Sequence, residues 1–245
     1  MSTADITLAK KIFSLLDLTS LNNSDTPETI GQLCQSATGE LGHVAAICIY
    51  PKFIRQAKQL LKNSQVKIAT VVNFPTGNEP LATVLAQIQN AIADGAEEID
   101  VVMPYQDYLS GKIAEVKKYI AACKTVCGKN ILLKVILETG VLHKPEIISQ
   151  ASRDVILSGA DFIKTSTGKT IINATLEAAE AMLTAIEDLK LSHFTGLKIS
   201  GGIRTIEQAI TYVNLAERIM GESWINPNHF RIGASTLHVA LKTRL

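Results

Sequence analysis

Aromatic residues are scarce in this chain: Phe, Trp and Tyr make up 5% of 245 residues, against 47% hydrophobic in all. The apolar content is therefore mostly aliphatic and Ala, which suits helices packed on parallel strands. An excess of one charge sign is also missing. A formal net charge of +1 gives no reason to expect nucleic acid or an anionic membrane as a partner. No run is long and apolar enough to span a bilayer. The amino-terminal MSTADITLAKK has charges but neither an apolar core nor a cleavage site, so a cytoplasmic protein is expected. Four cysteines suggest no disulfide or metal framework. Cys123 and Cys127 continue the stripe Ile113, Val116, Ile120 and are expected in the core, as is Cys34. The histidines are scattered, with no HExxH and no Cys/His cluster, so no metal is expected.

What the chain does have is a long alternation of strand-like and helix-like segments. Eight candidate strands can be read, at 43–50, 67–74, 98–105, 132–139, 161–167, 195–201, 217–221 and 230–236. Several are near-continuous apolar runs, as expected for strands covered on both faces. The clearest helix lies over 79–94, with Asn78 as its cap, Pro80 in its first turn and Gly95 as its stop. Another runs from Pro145 to about Ser158. Eight βα units in this length predict an α/β fold, a (β/α)8 barrel. Residues 1–41 carry two helical patterns and are expected to cover the amino-terminal end of that single domain. A doubly wound open sheet is the alternative, but its GxGxxG turn is absent.

Two lysines sit inside apolar strands, Lys164 in DFIKTSTGK and Lys198 in GLKISGGIR. Strand parity sends Asp100, Lys134, Lys164 and Lys198 to the barrel interior, with Ile99, Val101, Leu133, Val135, Ile163, Leu197 and Ile199 facing the helices. The same parity puts Glu138 with Lys134, and Cys48 near the carboxyl end of its strand. Active sites of this fold lie at the carboxyl ends of the strands. In a structural reading, Asp100 and Glu138 merely neutralise the lysines. Two carboxylates against three ammonium groups leave an excess cation, however. Loss of one lysine proton is the cheapest relief in low dielectric. A neutral buried amine is a nucleophile for carbonyl groups.

TSTGK followed by Thr170 is not a P-loop, because Ile163 occupies the position of the first required glycine. Gly168 with Lys169, Ser200 with Gly201 and Gly202, and Gly233 with Ser235 nevertheless end three late strands in turns whose N–H groups suit a phosphate. Schiff-base chemistry on a phosphorylated substrate is the expectation.

LLDLTSL (15–21), AAICIYP (45–51), EEIDVVMPY (97–105), LLKVILETG (132–140), DFIKTSTGK, GLKISGGIR and RIGAST (231–236) together resemble the 2-deoxyribose-5-phosphate aldolase family, in order along nearly the whole chain. The resemblance implies a cofactor-free class I aldolase acting on a small phosphorylated sugar and aldehydes. It places the Schiff-base lysine at Lys164, the second active-site lysine at Lys198, the acid/base aspartate at Asp100 and a further site lysine at Lys134. Asp17 and Thr19 fall on substrate-side positions, Thr167 and Lys169 at the sugar or phosphate end, and Gly168, Gly201, Gly202, Gly233 and Ser235 on phosphate-binding positions. Some members carry a flexible tail ending in Tyr, where this sequence reads LKTRL up to Leu245. Another Schiff-base barrel aldolase with a different acceptor, or a silent phosphosugar-binding barrel, are the alternatives. A homodimer is expected by base rate.

Overall fold

The computed structural model describes residues 3–243, so Leu245 lies outside the described residues. Eight parallel strands close into a barrel. They are β1 (Leu16–Ser20), β2 (Ala46–Ile49), β3 (Lys67–Val72), β4 (Glu98–Val102), β5 (Leu132–Ile136), β6 (Phe162–Lys164), β7 (Gly196–Ser200) and β8 (Phe230–Ala234). Each lies beside its neighbours in sequence, and β8 returns to β1 with Asp17 opposite Gly233. Ile99, Val101, Leu133, Val135, Ile163, Leu197, Ile199 and Ile232 are fully buried and join the helices in one continuous core. A separate small cluster, Leu21, Ala46, Cys48, Ala69 and Val71, packs on β2 and β3.

The barrel reading of the sequence holds, but one of its strands is wrong. Residues 217–221 are not a strand. They finish the helix Ile206–Met220 and its closing Gly221. Thr205 starts that helix through a capping box, its hydroxyl accepting from the Gln208 N–H at 3.2 Å while the Gln208 amide oxygen accepts from Thr205 N–H at 3.1 Å. Ile206, Ala209, Val213 and Ala216 then continue the buried stripe. The missing strand is β1, inside the segment expected to be helical cover. Residues 1–41 therefore contribute a barrel strand between the helices Thr3–Ser14 and Pro27–Ser36. The predicted strands also run a few residues past the ladders. Asn73, Met103, Leu137 and Thr165 to Thr167 belong to the loops at the carboxyl end.

The helix expected over 79–94 spans Leu81–Asp94 and closes on Gly95 at φ 109. Asn78 does not cap it. Its side-chain oxygen accepts from Thr76 Oγ1 at 2.6 Å, and Asn73 instead receives the Glu79 N–H at 2.8 Å. The second clear helix spans Pro145–Leu157. Cys34, Cys123 and Cys127 are free and buried. Burial pushes the last two thiols up to about 12. No helix among the described residues is long and apolar enough to cross a membrane.

Candidate active site

Register sets three cations side by side on adjacent strands: Lys164 of β6 is opposite Lys198 of β7, which is opposite Arg231 of β8. Lys134 of β5 is opposite Asp100 of β4. All five side chains are buried. Asp100 lies at the centre. Its Oδ2 accepts from Lys164 Nζ and from Lys198 Nζ, each at 2.7 Å, and its Oδ1 accepts from Lys134 Nζ at 2.9 Å. Asp17 of β1 holds Lys198 Nζ at 2.6 Å through Oδ2. Glu98 of β4 holds Lys134 Nζ at 2.5 Å. Strand parity thus brings the four predicted core residues together.

The partners of each group decide its proton. Burial pushes the Lys164 amine below its ordinary range, and the neighbouring Lys198 adds to this while Asp100 opposes it. Burial acts on Lys198 in the same direction, but Asp100 and Asp17 outweigh it and hold that amine well above the usual lysine range. Lys134 is also raised, by Asp100, Glu98 and Asp17 against its burial. Burial disfavours the Asp100 carboxylate, yet Lys134, Lys164 and Lys198 hold it well below the usual range. The cluster therefore contains one lysine whose protonated form is disfavoured beside two whose protonated forms are favoured.

Lys164 is also the member of the cluster that lines a pocket of about 210 Å³ at the carboxyl end of the barrel. Thr19, Thr167, Gly168, Lys169, Ser200, Gly201, Gly202, Gly233 and Ser235 share that lining. Asp17, Asp100, Lys134 and Lys198 do not. They lie beneath it, so Asp17 belongs to the buried network and not to the pocket wall. Gly168 and Gly202 have φ of 79 and 86 with open space where a side chain would point. Such backbone leaves its polar groups accessible to an anion. Gly233 serves a different need. A Cβ there would come 2.9 Å from Ser200 Cβ and 3.1 Å from Lys198 Cε, so its bareness makes room for the second lysine.

Neighbouring loops brace this rim. Glu138 is fully buried in the left-handed region at φ 56. Its carboxylate accepts from Thr167 Oγ1 at 2.5 Å and from Thr170 Oγ1 at 3.2 Å. Glu138 is thus engaged with threonines and does not pair with the lysines through hydrogen bonds. Burial raises its carboxyl, against those bonds. Lys169 Nζ donates to the Leu21 carbonyl at 2.6 Å, spanning the loops after β6 and β1. Cys48 is fully buried with Sγ 3.9 Å from Asp100 Oδ2, and its thiol is raised by burial. Among the described residues no group of three or more His, Cys, Asp or Glu is arranged to hold a metal.

Sequence reasoning overlooked Glu98, Arg231 and Arg204. Glu98 shares the parity of Asp100, and Arg231 shares that of Gly233, so the rule that found the lysines also reaches both. Arg204, in GLKISGGIR, lines the pocket beside Gly202.

A closed barrel in which one lysine of a buried lysine–carboxylate cluster opens into a glycine-rimmed pocket is an arrangement able to set an amine against a carbonyl compound with an anionic end. The chain belongs to the DeoC/LacD family of aldolases, whose model matches residues 11–237. It is 52% identical over 223 residues to a deoxyribose-phosphate aldolase of Agrobacterium fabrum, covering 91% of this chain and 85% of that one. It is also similar to the tetrameric deoxyribose phosphate aldolase of Aeropyrum pernix, at 26% identity and a TM-score of 0.77 over 100% of this chain and 98% of the other. A solved structure from Toxoplasma gondii ME49 has a TM-score of 0.89 over 99% of this chain and 97% of its own. At 23% identity it speaks for the fold alone.

Proposed function

We propose that this protein is a class I aldolase that reversibly cleaves 2-deoxy-D-ribose 5-phosphate into acetaldehyde and D-glyceraldehyde 3-phosphate. The observation that carries the reading is the position of Lys164. It is the one amine of the cluster that lines the pocket, and the one whose proton is destabilised. Neutral Lys164 adds to C1 of the open-chain sugar and loses water, giving an iminium. The C3 hydroxyl gives up its proton, the C2–C3 bond breaks, and its electrons flow into the iminium as an enamine. Glyceraldehyde 3-phosphate leaves. The enamine takes a proton at C2, and water releases acetaldehyde and the free amine.

Asp100, with Lys198 and through water, is the proton shuttle, and Lys134 orders it. Asp17 keeps Lys198 charged. Thr19 and Thr167 face the sugar. Gly168, Gly201, Gly202, Gly233 and Ser235 bind the phosphate with Lys169, turning remote binding energy into orientation at C1. The chemistry needs no cofactor. The similarity to the Agrobacterium fabrum enzyme supports the substrate. Its free, buried cysteines suit a cytoplasmic enzyme, and a homodimer is the assembly we infer.

Incubation with acetaldehyde and borohydride, followed by digestion and mass analysis, tests the covalent step. The expected product is an ethyl adduct on Lys164. An adduct on Lys198 or Lys134 with Lys164 unmodified rules the assignment out.

A further inference from the structure

We propose that Arg231 is a positioning residue for the amine chemistry: its guanidinium ties Asp17 to Glu98 under the pocket, and it supplies the one cation in excess that drives the proton from Lys164. This rests on the reading of Lys164 as the covalent amine. Arg231 is 3% exposed and is not among the residues that line the pocket. Its Nη1 donates to Asp17 Oδ1 at 2.6 Å and to Glu98 Oε2 at 3.4 Å, its Nη2 donates to Glu98 Oε1 at 3.0 Å, and its Nε donates to the Pro227 carbonyl. The guanidinium lies 5.6 Å from the centre of the Phe162 ring. Gly196 makes room for that ring, because a Cβ there would fall 2.3 Å from Phe162 Cε1. With Oδ1 of Asp17 taken by Arg231, Oδ2 remains for Lys198.

The charges show why a permanent cation matters here. Asp17 comes from β1, Cys48 from β2, Glu98 and Asp100 from β4, Lys134 and Glu138 from β5 and its loop, Lys198 from β7 and Arg231 from β8. Strand β3 presents Ala69 and Val71, while its Lys67, of the same parity, is exposed and pairs with Glu97. Glu138 is bonded to Thr167 and Thr170 and acts on Lys164 through space, without an ion pair, and burial raises the Cys48 thiol. Within the ion-paired cluster, three carboxylates, Asp17, Glu98 and Asp100, thus hold Lys134, Lys164, Lys198 and Arg231. Without Arg231 the three lysines of this ion-paired cluster balance its three carboxylates, and only burial and Lys198 are left to disfavour the proton on Lys164. Arginine does not deprotonate in proteins, so the excess cannot be relieved at that position. Lys134 and Lys198 are each held by two or more carboxylates. Lys164 has only Asp100, and it yields.

The test is the pH dependence of brief acetaldehyde labelling quenched in borohydride, with the Lys164 peptide quantified by mass. Its acid-side midpoint follows the proton on Lys164. Arg231→Met should raise the midpoint by on the order of one pH unit, the effect of one charge removed across a protein interior. Glu98→Gln should lower it. The double variant, which removes one charge of each sign, should return it toward the parent value. Arg231→Lys should keep the midpoint and lose turnover, because an ammonium cannot hold both carboxylates in one plane. A parent enzyme labelled on another lysine overturns the covalent reading and this proposal with it. A parent labelled on Lys164, with a midpoint that does not move in Arg231→Met, overturns the proposal alone. Should Arg231→Met not fold, Arg231→Gln, read by the same labelling midpoint, decides.

Discussion

The floor and the rim of the pocket handle charge in opposite ways. At the floor, charged side chains are fully buried and hold one another: Asp100 alone bonds three lysines. At the rim, bare glycines expose backbone, and the charged groups are the exposed Lys169 and Arg204. The difference follows from what each end must do. A proton can be placed on one amine and not its neighbour only where water is excluded and the partners are fixed. In the proposed function a phosphate must arrive and leave, and backbone amides would grip it without a buried charge left stranded when the site empties. Floor variants should therefore alter pH profiles and stability, whereas rim variants should alter discrimination for the phosphate.

Lys198→Leu is expected to have the largest effect. It removes a member of the proposed relay and a cation beside Lys164, so turnover should fall by ~10³-fold. The acid limb of the rate profile should move to higher pH, because the Lys164 amine becomes more basic. Near-native turnover with an unchanged limb would place Lys198 outside the chemistry. Asp100→Asn should shift the limb the other way, since Asp100 is what holds a proton on Lys164. It also strands buried ammonium groups, so unfolding in urea should show a loss of ~3–5 kcal/mol.

The pH dependence of stability belongs to the same floor. Asp100 and Asp17 are depressed in the folded state. Their contribution is complete above the unfolded carboxylate value of about 3.9 and is lost as the pH falls below it. Lys198 and Lys134 are raised. Their contribution is complete below about 10.4 and is lost as the pH climbs through the folded values. Lys164 has the opposite sign for a lysine, so its burial is relieved as the pH rises. Urea midpoints across pH should show an acid edge that is blunted in Asp100→Asn. An identical edge in that variant would mean that other carboxylates set it.

At the rim, Ser235→Asp places an anion against the phosphate. Cleavage of deoxyribose 5-phosphate should drop by roughly 10- to 100-fold, while the slow reaction of unphosphorylated deoxyribose should fall much less. Equal losses would put the phosphate elsewhere. The smallest effect is expected where the charged floor meets the apolar cluster. Cys48→Ala should keep turnover within about twofold and reduce stability by about 1 kcal/mol. A large loss of activity would make the thiol part of the relay.

The floor was more legible in the sequence than the rim or the outline of the barrel. A lysine between two apolar neighbours in a strand has one explanation, burial inside, and parity then fixes its companions. Glu98 obeys the same parity but stands at the very start of its strand, next to Glu97, where it reads as a solvated pair. Arg231 stands at the start of β8 in the same way. The Leu16–Ser20 strand is five residues between two helices, too short for its alternation of Leu16 and Leu18 with Asp17 and Thr19 to dominate its surroundings. Ile219 and Met220 mimic a strand because a buried helical stripe ends there. The brace from Glu138 to Thr167 and Thr170 depends on a left-handed glutamate, a backbone state that no local sequence preference announces.

The ion pair between Asp17 and Arg231 joins residues 214 positions apart, on the first and last strands of the barrel. It has a consequence in time as well as in space. While the chain is being made, the lysines of β5, β6 and β7 are in place before the residue that tips their charge, and before the strand that closes the ladder. Contacts of such long range are the slow ones to form. If Lys164 is the covalent amine, as proposed, its reactivity reports a finished barrel rather than a partly folded one.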